Sequence, residues 1–218
     1  MIVLRHCILR GLLQAIVVAL IAMHATVLAD GVSPMKVAND FLNLARNGDI
    51  IFRRGTGLFS EYFRKAGGAE APYSHVGIII QEKECLYVVH AEASDYTGIG
   101  RVIKEPLNKF VSREKALLAG LFRLRDPLAS IASRAAVHAE SFATLQIPFD
   151  NNFDSVSHDK LYCTELVQWA YELAGLQLVE QLDTLVAPGR NIRIISISNL
   201  IGSNKLAPVM GCYSGGIQ

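Results

Sequence analysis

Two neighbouring apolar runs near the middle of the chain constrain its fold more than any other feature. His75 to Gln81 (HVGIIIQ) and Leu86 to Ala91 (LYVVHA) are rich in β-branched residues, and a short polar segment, 82–84, lies between them. Runs of this length and composition indicate β-strands, and so short a connection indicates an antiparallel hairpin. The chain is therefore predicted to contain an antiparallel sheet that includes these two strands.

Further strands and helices are predicted on both sides of this hairpin. The predicted strands are 49–53, 101–104 and 116–125, and the predicted helices are 33–46, 58–65, 128–145 and 163–174. A loop rich in Asp and Asn is predicted at 148–157, whereas the residues after 177 show no clear order of elements. No repeat or linker divides the chain after residue 29. The sequence therefore predicts one α+β domain over 30–218, with a small antiparallel sheet between helices.

The first 29 residues have the three parts of a secretory signal peptide. Arg5 and Arg10 form a basic flank, residues 11–23 form an apolar core, and residues 27–29 (VLA) supply small residues for a cleavage site. The core is shorter than the roughly 20 residues that span a bilayer. We therefore expect export to the periplasm or the cell exterior with cleavage after Ala29. A membrane anchor formed by an uncleaved segment is the alternative.

Composition and charge exclude two further classes of protein. Hydrophobic residues make up 51% of the chain, which is enough to bury a core and argues against a disordered protein. The 21 Lys and Arg residues nearly balance the 20 Asp and Glu residues, so nucleic acid is not an expected partner. Cleavage would leave three cysteines, Cys85, Cys163 and Cys212, and hence at least one free thiol. The sequence leaves open whether Cys85 pairs with Cys212, and it leaves the oligomeric state open.

Cys163 is the cysteine best placed for chemistry. The residues after it recur at the spacing of one helix face: Leu166, Val167, Ala170, Tyr171 and Ala174. Cys163 is therefore predicted to begin a helix on its buried side, where unpaired backbone N–H groups and the helix dipole favour the thiolate. A neighbouring histidine would complete an activated nucleophile. The alternative is a cysteine that serves only as a small core residue.

Two histidines and a glutamate lie on the predicted hairpin. His75 begins the first strand, where its side chain can face a cleft, and His90 and Glu92 share one face of the second strand within reach of His75. A core histidine bonded to the backbone is the alternative for His90. No close ligand pair such as Cys-x-x-Cys or His-x-x-x-His occurs, so a metal site from His75, His90 and Cys163 is not favoured. Neither a metal nor a cofactor is expected.

Five short segments, taken in order, resemble a known family. They are GDIIFR (48–53), SHVGI (74–78), VVHAE (88–92), PFDNNF (148–153) and YCTELV (162–167). Together they resemble the permuted papain-like amidases of the YaeF/YiiX type, within the NlpC-like superfamily that also includes lecithin:retinol acyltransferase-like proteins. The resemblance implies a circularly permuted papain-like (NlpC-like) fold, in which the histidine strand precedes the cysteine helix.

The resemblance also implies roles for individual residues. Cys163 matches the nucleophile and His75 matches the histidine base. The third position, which orients the base, matches His90, with Glu92 two residues further along as the alternative. We expect backbone N–H groups at the start of the Cys163 helix to hold the oxyanion, with Tyr73 as a candidate further donor.

The expected activity is that of a secreted cysteine hydrolase that cleaves amide bonds through an acyl-enzyme intermediate. The expected partner is a peptide or acyl-amide substrate, and export favours the peptide part of peptidoglycan. One alternative is a lipid amidase, esterase or acyltransferase of the same fold, with an acyl channel lined by residues such as Phe59, Tyr62 and Phe63. Another is a catalytically silent module that binds peptide or lipid.

Overall fold

The computed structural model describes residues 41, 43–57, 71–94, 96–125, 128–187 and 189–214. The predicted signal peptide, the predicted helix over 58–65 and the three aromatic residues of the suggested acyl channel lie outside these residues. Most of the predicted helix over 33–46 lies outside them as well.

The described residues form a mixed α/β structure built on an antiparallel sheet. The strands are β1 (Ile50–Gly55), β2 (His75–Glu82), β3 (Cys85–Ala93), β4 (Gly100–Pro106), β5 (Ala116–Leu124), β6 (Asp183–Ala187), β7 (Arg190–Ile194) and β8 (Leu206–Ser214). The helices are α1 (Leu107–Phe110), α2 (Ala129–Thr144), α3 (Cys163–Leu173) and α4 (Ile197–Ile201). Six strands form one sheet in the order β4-β3-β2-β1-β5-β8, and β6 pairs with β7.

The predicted hairpin is confirmed as β2 and β3. Ile78 lies opposite Val89 in an antiparallel register, and the turn closes where Glu82 lies opposite Cys85. Cys85 is an exposed free thiol at this turn, so the structure shows no disulfide at Cys85. β1 pairs with the other side of β2, which places Arg53 opposite His75. The start of β2 therefore lies beside the end of β1.

Two hydrophobic clusters cover the two faces of the sheet. On one face Val76, Ile78 and Val89 pack with α2 and α3, whose contributions include Leu166 and Ala170. Because side chains alternate along a strand, the neighbouring positions point to the opposite face. That face holds Ile51, Ile79, Val88, Leu107 and Phe110, among others. The sheet is thus buried on both faces, and helix α3 packs mainly over strand β2.

The confirmed helices follow from their sequence patterns. Buried alanines at 132, 135, 136 and 139 line one side of α2, and these small side chains let the helix approach the sheet closely. In α3, Leu166, Val167, Ala170 and Tyr171 are fully buried, as the helical spacing predicts. Tyr171 also donates a hydrogen bond to the Gly48 carbonyl just before β1, which ties α3 to the start of the sheet. Within the described residues, no helix is both long enough and apolar enough to cross a membrane.

Candidate active site

Cys163 is the first residue of α3. Tyr162 precedes it in an extended conformation, and the Glu165 carboxylate accepts the Tyr162 backbone N–H at 3.4 Å. The α3 N-terminus is anchored further by Thr164, whose hydroxyl donates to the Ile195 carbonyl at 2.6 Å. The cysteine is therefore held at a fixed position at the N-terminus of a buried helix, as predicted.

The surroundings of the Cys163 thiol act on its pKa in opposite directions. Burial raises the pKa, while the backbone N–H groups of Val76, Thr164 and Cys163 itself, with the Arg53 charge, lower it. Burial dominates and brings the pKa of the thiol to about 11. The helix-terminal N–H groups thus favour the thiolate, as expected, but desolvation in the folded protein outweighs them.

His75, His90 and a third residue, Glu105, form a hydrogen-bonded chain. The His75 Nε2 and His90 Nδ1 atoms lie 2.9 Å apart, and the two rings are nearly perpendicular. The His90 Nε2 atom in turn lies 3.0 Å from Glu105 Oε1. His90 is fully buried, and its two ring nitrogens are both paired, one with His75 and the other with Glu105.

Glu92 lies next to this chain but is not a link in it. Its donor atoms and those of His75 and His90 all lie within 4.8 Å of one another, which makes a grouping of metal-type ligands. The histidine nitrogens face each other, however, and the Glu92 carboxylate pairs with Arg53 and with Lys115, the latter at 3.2 Å. The arrangement in this structure is thus a network of hydrogen bonds and ion pairs, in which each of these three side chains already has a partner within the protein.

Phe110 covers the histidine pair from the side away from α3. Its ring stacks on His75 with a centroid distance of 5.8 Å and meets the edge of His90 at 5.0 Å. The Arg53 guanidinium lies over the Phe110 ring at 4.4 Å and donates to the Phe110 carbonyl at 3.2 Å. This aromatic cover helps to bury His90 fully, whereas His75 stays partly exposed at the cleft.

Both histidines are neutral at neutral pH. Burial holds the pKa of His75 well below its usual 6.5, and the positive charges of Arg53 and Lys115 lower it further. Burial also lowers the pKa of His90, although the Glu105 carboxylate opposes that effect. A neutral imidazole can accept a proton, so His75 is in the state that a general base requires.

His75 and Cys163 line the same cleft, whose volume is about 420 Å³. The Val76 backbone N–H, one residue after His75, faces the Cys163 sulfur. No hydrogen bond joins the thiol to the His75 ring among the described residues, and such bonds often tighten only when substrate binds. The cleft therefore brings the predicted nucleophile and the predicted base to one site.

Much of the cleft wall is apolar. It includes Phe149 and Phe153 from the loop before α3, and Ile194, Ile195 and Ile197 from β7 and the start of α4. Tyr96 lies at the rim and is almost fully exposed. The β7 and α4 residues belong to the tail whose order the sequence pattern did not predict.

Tyr73 does not reach this cleft. It is only 1% exposed, and its ring stacks on Phe52 with a centroid distance of 5.5 Å. Its hydroxyl lies against the backbone of Gly120, where a side chain would clash with it. The structure therefore places Tyr73 in the core on the helix side of the sheet and not where an oxyanion would form.

Sequence reasoning missed Glu105, Arg53 and Lys115 as parts of the site. The predicted strand over 101–104 ends one residue before Glu105, whereas β4 continues to Pro106. Arg53 ends a run of buried residues, and a charged residue in such a run signals a buried ion pair. Lys115 lies in the loop before β5, and no local pattern marks it.

A cysteine at the start of a helix packed on a sheet, with its histidine on an earlier strand, defines the permuted papain-like class of cysteine hydrolase. The family model for the permuted papain-like amidase enzymes YaeF/YiiX, family C92, matches residues 44–188. The chain belongs to this family of cysteine peptidases and amidases, and it is a hydrolase of that class.

A solved structure supports the fold. The metalloprotein yiiX from Escherichia coli O157:H7 is similar to this chain with a TM-score of 0.62 and 22% sequence identity. The similarity covers 76% of this chain and 97% of the E. coli chain. A search of curated proteins found no match.

Proposed function

We propose that the protein is an exported amidase in which Cys163 is the nucleophile, His75 the general base and His90 the residue that orients His75. The supporting observation is the 2.9 Å contact between His75 and the buried His90, in a cleft that also holds Cys163. Glu92 is the less suitable third residue because it pairs with Arg53 and Lys115.

The Cys163 thiol and the His75 imidazole are both neutral before the reaction, and this defines the order of the proton transfers. His75 accepts the thiol proton as the Cys163 sulfur attacks the amide carbonyl, and it then gives this proton to the leaving amine. Water, deprotonated by His75, hydrolyses the thioester and releases the carboxylic acid. The proton returns to Cys163, so the enzyme is regenerated without a cofactor.

Backbone N–H groups supply the stabilisation of the oxyanion in this proposal. The N–H groups of Val76 and Cys163 both face the sulfur, so they lie close to the carbonyl that the sulfur attacks. Because these donors belong to a strand and a helix that pack against each other, they need no rearrangement during the reaction.

The substrate proposed first is an amide of a cell-wall peptide, on the basis of the expected export. The apolar wall formed by Phe149, Phe153 and Ile195 supports a second candidate, an amide or ester with an apolar acyl group.

The experiment compares wild-type protein, Cys163→Ala, His75→Ala and the control Cys85→Ala, whose thiol is exposed and distant in sequence. The probes are p-nitrophenyl butyrate, butyryl p-nitroanilide and purified muropeptides, with mass spectrometry to detect the acyl-enzyme. We expect a butyryl adduct on Cys163, loss of turnover in the first two variants and no loss in Cys85→Ala. Turnover that survives in Cys163→Ala would contradict the proposal, and binding of a probe without any turnover by the wild type would favour the binding module.

A further inference from the structure

We propose that Glu105 is a positioning residue that fixes the tautomers of both histidines, so that the proton of Cys163 can go only to Nδ1 of His75. This inference rests on the proposed function, since it concerns the same dyad. It adds Glu105 as a fourth residue to the proposed set of Cys163, His75 and His90.

Glu105 is a buried carboxylate surrounded by positive charge. It lies on β4 opposite Val88 and is only 3% exposed. Lys115 Nζ lies 3.1 Å and 3.2 Å from its two oxygens, Lys109 Nζ lies 3.3 Å from Oε2, and Arg53 Nη1 lies 3.8 Å from Oε1. Burial raises the pKa of Glu105, but the interactions with His90 and Lys115 outweigh burial and hold the pKa at about 2. The side chain is therefore ionised at neutral pH and can only accept hydrogen bonds.

The charge of Glu105 determines where the ring protons lie. Because Glu105 only accepts, the neutral His90 ring must carry its single proton on Nε2, which leaves a lone pair on Nδ1. That lone pair faces Nε2 of His75, so the His75 proton must lie on Nε2. The lone pair of His75 is then on Nδ1, the nitrogen that the chain leaves free to act as the base. A neutral residue at position 105 could donate as well as accept, and the order would no longer be imposed.

The same chain stabilises the charge that develops during the reaction. When His75 takes the thiol proton, both of its nitrogens carry protons, and Nε2 remains bonded to His90 Nδ1. The negative charge of Glu105 acts on this imidazolium through His90. At His90, burial and the Arg53 charge lower the pKa, whereas the Glu105 and Glu92 carboxylates raise it and leave the net shift downward.

The variant Glu105→Gln tests this role, with Glu140→Gln as the matched control. Glu140 lies on α2 at a half-exposed site and pairs with Lys104, which precedes Glu105 in β4. It belongs to neither the cleft nor the histidine chain. With p-nitrophenyl butyrate as the probe, we expect Glu105→Gln to lower kcat about 10- to 100-fold and leave KM within about twofold. We also expect the acid limb of the kcat/KM profile to move to lower pH, because removal of the carboxylate lowers the pKa of the histidine pair. Glu140→Gln should match the wild type in all three quantities.

A wild-type measurement keeps the proposal testable if Glu105→Gln does not fold. Nitrogen-15 NMR of the imidazole rings should show a proton on Nε2 and a bare Nδ1 in both His75 and His90. A proton on Nδ1 of either ring would overturn the proposal. So would a folded Glu105→Gln whose kcat and acid limb equal those of the wild type, or whose kcat falls while the acid limb stays in place. If instead Cys163→Ala keeps its turnover, the proposed function fails while the tautomer assignment is still decided by NMR.

Discussion

The pH dependence of Cys163 alkylation is a direct test of the physical picture of the site. With a pKa of about 11, about one thiol in 10⁴ is ionised at pH 7. Iodoacetamide reacts with the thiolate, so the alkylation rate at pH 7 should lie about four orders of magnitude below its alkaline limit. The rate should rise about tenfold for each pH unit between pH 7 and pH 10.

The assay must separate Cys163 from the exposed thiol of Cys85. Quenched samples digested and analysed by mass spectrometry give the modified fraction of each cysteine against time and pH. A Cys163 midpoint at or below pH 7 would refute the reasoning, because it would show that the helix N-terminus and Arg53 outweigh burial. The dyad would then be a preformed thiolate–imidazolium pair, and the proton transfer to His75 would no longer accompany attack on the carbonyl.

Three further predictions follow from the same contacts. Phe110→Ala removes the cover from the histidine pair, so the acid limb of the kcat/KM profile should move to higher pH as water raises the pKa of His75. The free energy of unfolding, measured in urea, should fall by about 3 to 5 kcal/mol. An acid limb that does not move would contradict the account. Burial raises the pKa of Glu165 from 4.5 to about 9, so protonation stabilises the folded state fully below about pH 4.5, and this contribution is lost as the pH rises through about 9. The free energy of unfolding of the wild type relative to Glu165→Gln, measured in urea at pH 5, 7 and 9, should therefore decline with pH, and a constant difference would disprove the assignment. Dialysis against EDTA should leave p-nitrophenyl butyrate turnover unchanged, because the nitrogens of His75 and His90 face each other and Glu92 pairs with cations; a loss of turnover that Zn²⁺ restores would contradict this.

The parts of the fold that the sequence predicts are those set by local periodicity. The hairpin of β2 and β3 (His75–Ala93) and the helix that begins at Cys163 each depend on patterns within one short stretch of chain, and both are present. β8 could not be placed in this way, because its partner β5 lies about ninety residues earlier in the chain. The site residues differ in the same way. Strand alternation predicts that His90 lies near His75, whereas Lys115 comes close to Glu105 only through the tertiary fold.

The pKa of Cys163 shows the limit of local rules in energetic terms. Its position at a helix N-terminus is a local property and is present in the structure. The desolvation that decides its ionisation is a property of the folded protein, and the cleft in which Cys163 lies is lined by segments far apart in the chain, including the Phe149 loop, β7 and the start of β2. A rule that considers only the helix therefore predicts the sign of one contribution and misses the larger one.

The two ends of the dyad are joined by one dipeptide at the start of β2. His75 points to the face of the sheet that carries Phe110, whereas Val76 belongs to the face that carries α3, and the Val76 N–H faces the Cys163 sulfur. Strand alternation thus turns the side chain of the proposed base to one face, while the backbone N–H of the next residue is directed at the sulfur. This arrangement requires only that α3 begins beside the first residues of β2, and it sets no condition on which of the two comes first in the chain. A permuted order, with the histidine strand ahead of the cysteine helix, is therefore compatible with the proposed chemistry.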